Sequence, residues 1–88
     1  MLKIERAAQG AVVLFTLSGR IQAADVAELQ RLLDLEANKQ TLTLDLHEVK
    51  LVDREAVQFL ARCETEGITL VRCPAYIRVW IEREKAQP

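Results

Sequence analysis

Between Thr41 and Val57 the chain changes its period, and this change constrains the fold more than any other stretch. Leu42, Leu44 and Leu46 alternate with Thr41, Thr43 and Asp45, the pattern of a strand with one apolar face. A short polar stretch from His47 to Lys50 then reads as a loop. Asp53 follows as a good helix N-cap, because its carboxylate can accept from backbone N–H groups that the first turn leaves unpaired. From Arg54 to Thr65 the apolar residues Ala56, Val57, Leu60 and Ala61 recur at helical spacing beside a charged edge that includes Glu64. Val52 and Val57 are placed for a hydrophobic staple, and Gly67 for a left-handed stop.

The flanking segments fit around this unit. Leu2 and Ile4 alternate with Lys3 and Glu5, which predicts a first strand at a sheet edge. Gln9-Gly10 is a turn signal, and Ala11 to Leu17 is a continuous β-favouring run that makes a hairpin with the first strand. Ser18-Gly19-Arg20 ends it. Val26, Leu29, Leu33 and Ala37 predict a helix over 23–37, closed by Asn38-Lys39-Gln40, with Asp25 and Glu28 near its positive end. Ile68 to Arg72 reads as the last strand. Pro74 is suited to the first position of a third helix, with Tyr76, Ile77, Trp80 and Ile81 as its apolar side and fraying expected from Glu84 to Pro88.

The order is β-β-α-β-α-β-α, an α/β fold. Strands joined through helices run parallel with right-handed crossovers, so a chain advancing steadily across the sheet puts its helices on one face. The expectation is a four-stranded mixed sheet, forming one domain over 1–88. Its other face would carry Thr41, Thr43, Thr69 and Val71, with either Val12 and Leu14 or Val13 and Phe15.

With 12 basic and 13 acidic residues, the chain has no electrostatic footprint for nucleic acid or an anionic membrane. No apolar run approaches the ~18 residues of a membrane span, and the first residues lack a signal-peptide core, so a cytoplasmic location and no membrane insertion are expected. Cys63 and Cys73 match neither a zinc motif nor Cys-x-x-Cys and read as small apolar groups.

Three pieces in this order and spacing resemble the STAS domain, the fold of bacterial anti-sigma factor antagonists. They are Leu17-Ser18-Gly19-Arg20-Ile21 before the first helix, Leu44-Asp45-Leu46 on the third strand, and Asp53 at the second helix. The resemblance covers about the whole chain. Many members of that family carry Asp-Ser-Ser/Thr-Gly-Leu at the helix start, where a partner kinase phosphorylates the second hydroxyl. Here the five positions hold Asp53-Arg54-Glu55-Ala56-Val57, without a hydroxyl and with an acid at the phosphorylated position. The ending from Cys73 to Ile81 and the lack of a final strand resemble a small bacterial branch of STAS-like proteins.

The resemblance implies a non-enzymatic protein-interaction module that is not switched by serine phosphorylation. Its partner-binding residues would be Asp53, Arg54, Glu55 and Ala56, with Asp45, His47, Tyr76 and Trp80 as secondary interaction candidates. The partner would be an anti-sigma factor or related regulator. Alternatively, the chain would be the small STAS subunit of a lipid-transport ABC system, docking on a transporter subunit. A glutamate carries one charge against about −1.5 to −2 for a phosphoserine, so Glu55 is an incomplete mimic. It is equally suited to a helix's first turn for its own sake.

Different in class is a small-ligand or metal-binding enzyme using Asp45 and Asp53, if both lay near the carboxyl end of the third strand. No nucleophile or glycine-rich phosphate loop accompanies them, Ser18 has no base beside it, and His47 with Asp45 and Glu48 makes a poor metal site. No catalytic residue, metal or cofactor is therefore assigned. A homodimer through the outer sheet face, or through Tyr76 and Trp80 on the last helix, is a further expectation.

Overall fold

A computed structural model describes residues 1–36, 38 and 41–87. The elements follow as β1 (Leu2–Gln9), β2 (Val12–Ile21), α1 (Ala23–Asp34), β3 (Leu42–Val52), α2 (Arg54–Thr65), β4 (Thr69–Val71) and α3 (Ala75–Ala86). The strands form one sheet in the order β1-β2-β3-β4. β1 and β2 are antiparallel, and the two pairs joined through helices are parallel. This is the expected α/β order and mixed sheet.

The hairpin closes through Gly10 and Ala11, with Gly10 at φ +60, as the first position of a two-residue hairpin loop requires. Gly19 has φ +96, and a Cβ there would overlap the Met1 carbonyl oxygen, so the strand end tolerates only glycine. Phe15 and Leu17 of β2 and Leu42, Leu44 and Leu46 of β3 are buried in one cluster with residues of all three helices. That places Leu14 and Val12, rather than Val13 and Phe15, on the opposite face. Val13 packs against the core, and Val12 is exposed.

β3 departs from the expected strand. It continues through the supposed polar loop to Val52. Its core-side residues after Leu46 are Val49 and Val52, three apart instead of two. The register against β2 slips between Thr16 and Ser18 and again between Gly19 and Arg20, each time with an extra residue in β3. These are β-bulges, which leave the strand intact while breaking its alternation.

The other differences are at element ends. α1 stops at Asp34 with Leu35 as its cap, earlier than expected, while Ala37, Lys39 and Gln40 lie outside the described residues. Pro74 is the N-cap of α3 rather than its first helical residue. α3 does not fray at Glu84 but runs to Ala86, with Pro88 outside the described residues.

Charge pairs explain why α3 persists. Glu64 of α2 accepts from Arg78 Nη1 at 2.8 Å and Nη2 at 3.0 Å, and also from Lys85 Nζ. Arg78 also reaches Glu82, one turn along the same helix, at 2.9 Å. Hydrogen bonding from Arg78, helped by Lys85, outweighs desolvation and holds the Glu64 carboxyl down at about 2, against an ordinary 4.5. A lowered carboxyl stabilises the fold above its unfolded value and loses that contribution as pH falls through the folded one. Urea unfolding between pH 6 and 2 is therefore expected to show wild type losing more stability than Glu64→Gln across the window from 4.5 to about 2. Parallel pH profiles for the two proteins would remove Glu64 as the source.

Candidate functional site

The end of β3 delivers Asp53 to the point where two helices begin. Its Oδ1 accepts the Ala56 N–H at 2.9 Å, the cap expected for α2. Its Oδ2 accepts the Ala23 N–H, the first of α1, at 2.7 Å. Its own N–H donates to the Ile21 carbonyl at 3.3 Å. One carboxylate thus closes both helix starts and ties them to the end of β2. The second of these roles involves residues distant in sequence and has no local signal.

Arg54 and Glu55 project from the first turn of α2 and are exposed. Arg54 Nε lies 3.8 Å from Glu84 of α3, whose Oε1 also accepts from Gln58 Nε2 at 3.1 Å. Among the described residues no ion pair engages Glu55. Ala56, expected as a surface contact, is 0% exposed. The helical period turns its methyl into the core, so it cannot meet a partner directly.

Two exposed apolar side chains lie at the end of β3. Leu51, beside the second bulge, is 56% exposed, and Tyr76 on α3 is 51% exposed. The Tyr76 hydroxyl donates to the Lys50 carbonyl, which fixes its ring beside the last residues of β3. Tyr76 therefore differs from its neighbours on the expected apolar side. Ile77 and Ile81 are fully buried, and Trp80 packs partly buried against the core. Leu51 was not anticipated, because it stood in the stretch read as a loop edge.

Asp45 is not at the carboxyl end of β3. It pairs in register with Thr16 on one side and Val71 on the other, on the sheet face away from the buried leucines. The strand separates it from Asp53 by roughly 20 Å at the usual rise per residue, once its two bulged residues are discounted. Asp45 is only 4% exposed. Its Oδ1 accepts the His47 N–H at 3.0 Å, which secures the first bulge, and Arg72 Nε at 3.3 Å. Arg72 Nη2 contacts the other oxygen. The Arg72 guanidinium holds this carboxyl below the usual range against the opposite pull of burial. Arg72 itself sits at φ +51, a left-handed conformation uncommon for a non-glycine residue.

His47 is exposed on the strand, with Nδ1 3.1 Å from Glu48 Oε1. Among the described residues no group of three or more His, Cys, Asp or Glu side chains could hold a metal. Cys63 is buried and Cys73 half-buried, neither in a disulfide, and burial pushes the Cys73 thiol up. A groove lies between α2 and α3, lined by Gln58, Arg62, Thr65, Glu84 and Lys85, and it includes neither Asp45 nor Asp53.

The sheet order and the helix start capped by an aspartate define an α/β fold of the STAS type. The family model described as "Mlab, STAS domain" matches residues 4–75, ending at the first residue of α3. The chain belongs to the STAS domain family, whose members generally mediate protein–protein interactions and are generally non-enzymatic. None of the curated proteins compared with the chain matches it. Among solved structures, one described as "Crystal Structure Analysis of Mglu" aligns with a TM-score of 0.59 at 18% identity, over 75% of this chain. The alignment covers 18% of that chain, and the likeness is one of fold alone. Among the described residues no helix is long and apolar enough to cross a membrane.

Proposed function

We propose that this chain is a non-enzymatic docking module of the anti-sigma factor antagonist type. It binds a protein partner through the first turn of α2 and the adjoining end of β3. The observation that carries this reading is Glu55, an exposed acid without an ion-pair partner among the described residues, on the turn that follows a β3 end carrying exposed Leu51 and Tyr76. A charge flanked by apolar anchors is the usual make-up of an interaction surface. Residues 53–57 contain no hydroxyl, so the docking is constitutive rather than switched by serine phosphorylation. Arg54, Glu55, Leu51 and Tyr76 contact the partner, Asp53 positions them, and Ala56 supports the turn from within. A cytoplasmic location accompanies this reading.

Glu55→Ala is expected to lower stability by at most ~1 kcal/mol, the contribution of an acid in a first helical turn. Partner affinity is expected to fall about tenfold or more, since a desolvated charged contact is worth at least 1.4 kcal/mol at an interface. Native partners captured on the wild-type chain and titrated against both forms by calorimetry test this. Equal affinities would take Glu55 out of the interface.

A second reading is the small STAS subunit of a lipid-transport ABC system, docking through the same face. The matching family model carries the Mlab description rather than an anti-sigma one, which favours keeping it. A captured transport ATPase selects this reading, and a captured kinase selects the first. The enzymatic alternative needs Asp45 and Asp53 in one pocket with one carboxyl raised. Instead, Asp45 is lowered by Arg72, and the Asp53 oxygens take two backbone N–H groups.

A further inference from the structure

We infer that a second copy of this chain docks on the free edge of β1, antiparallel to it, about a two-fold axis through Ile4 normal to the sheet. The two sheets then join into one. This surface is separate from the partner face at α2, and it is neither the outer sheet face nor α3.

The sheet has two edges, β1 and β4. β4 has only 3 residues and is followed by Arg72 at positive φ, so it offers little to pair with. β1 has 8 residues, contains no proline, and keeps an unbroken register with β2 from Leu2 to Gln9. Its outward backbone groups can be identified. Arg20 N–H donates to the Met1 carbonyl at 3.4 Å, extending that register by one pair. Hydrogen-bonded and non-hydrogen-bonded pairs alternate along an antiparallel ladder. Lys3 and Glu5 therefore direct their backbone groups toward β2, while Leu2, Ile4 and Arg6 direct theirs to the open edge.

Charge then selects both the occupant and the register. Directly opposed residues of an antiparallel pair share a sheet face, so a perpendicular two-fold must pass through a residue. Centred on Lys3, Glu5 or Arg6, the pairing opposes that charge to itself. Centred on Ile4, it places Lys3 of each copy opposite Glu5 of the other, on the outer face. Ile4 then meets Ile4 on the core side, and Leu2 meets the aliphatic stem of Arg6. Leu2 and Ile4 are only partly buried at the rim of the core, and the second copy covers them. Arg6 is already held by Glu36 at 3.1 Å, leaving its stem beside the edge. A lysine on an edge strand usually discourages pairing. Here the residue next along the same face is an acid, and the strand is complementary to itself. Lys3 Nζ and Glu5 Oε1 lie 3.7 Å apart within the strand, with side chains 72% and 63% exposed, and exchange this loose pair for the one across the axis.

Light scattering and sedimentation of the full chain, from about 10 μM to about 1 mM, test the inference. Wild type is expected to show a monomer–dimer equilibrium within that range. Lys3→Glu and Glu5→Lys, each creating like-charge pairs across the axis, are expected to raise the dimer Kd about tenfold or more. The double variant Lys3→Glu/Glu5→Lys restores complementarity and is expected to return the Kd to near the wild-type value. Ile4→Pro, which removes an outward N–H, is expected to abolish the dimer while circular dichroism stays unchanged. A wild type that stays monomeric throughout overturns the inference. So does a dimer that survives both single reversals, a double variant that fails to recover, or a dimer dissolved instead by Trp80→Ala.

Discussion

Asp53→Ala is expected to lower the unfolding free energy by about 2–3 kcal/mol, twice the usual effect of losing a helix cap. An ordinary N-cap satisfies one helix. Asp53 satisfies the Ala56 N–H of α2 with one oxygen and the Ala23 N–H of α1 with the other. The Ala56 donor lies where water is partly excluded, and both bonds are assisted by the carboxylate charge. Asp53→Asn keeps one acceptor oxygen and turns an NH2 group toward the other donor, so it is expected to retain about half the effect. Urea titrations of the three proteins at neutral pH are the measurement. A loss for Asp53→Ala no greater than a single cap, about 1 kcal/mol, would show that the bond to α1 contributes nothing. Asp53 variants are also expected to weaken partner binding indirectly, by tilting the turn that carries Arg54 and Glu55. Their binding losses should therefore scale with their stability losses, whereas those of Glu55→Ala should not.

Removing the Arg72 side chain is the second change with a large expected effect. Arg72 is itself 63% exposed, and its importance comes from what it covers. Without it, Asp45, only 4% exposed in the native fold, is partly uncovered and keeps the His47 N–H as its remaining hydrogen bond. An undersatisfied buried carboxylate costs about 1–3 kcal/mol. The pH dependence identifies the source. The Asp45 carboxyl is held below its ordinary 3.8 in the native fold, so its contribution is full above that value and is lost as pH falls through the lower folded value. In Arg72→Ala the largest lowering cause disappears, and the upward push of burial is opposed mainly by the His47 N–H. The variant's deficit should be greatest near neutral pH and should shrink as pH falls below about 4. Arg72→Gly loses the same pair but suits the φ of +51, so it should be less damaging than Arg72→Ala. Denaturant midpoints near neutral and acidic pH compare all three. A deficit independent of pH would mean that Asp45 is not the group left exposed to the loss.

The element order and the aspartate cap of α2 were legible in sequence because they rest on local rules. Leu42, Leu44 and Leu46 alternate, and the α2 segment repeats at helical spacing. Beyond Leu46 the course of β3 is not legible in sequence, for a physical reason. Leu46, Val49 and Val52 face the core at intervals of three, which matches neither strand nor helix. Each bulge adds a residue whose presence shows only in the register with β2. α3 was read as frayed from Glu84 because its stabilisation comes from Glu64 on another helix. The same limit applies to the site. The α2 half of the Asp53 cap is local and was expected, whereas its bond to Ala23 and the hold of Arg72 on Asp45 depend on chain crossings. Ala56 was assigned to the surface by its place in a motif, although its helical phase alone already pointed inward.

The paired bulges leave the second half of β3 with slack in its length as well as in its chemistry. Residues 47, 48 and 50 are exposed and can be exchanged with little consequence for the core. Each bulge is one extra residue of β3 against β2, so deleting one residue at a bulge straightens the strand and leaves Val49 opposite Gly19 and Val52 opposite Ile21. Asp53 still reaches the helix starts in phase. In a library of variants, this segment should accept nearly any polar letter and also the loss of one letter at each bulge.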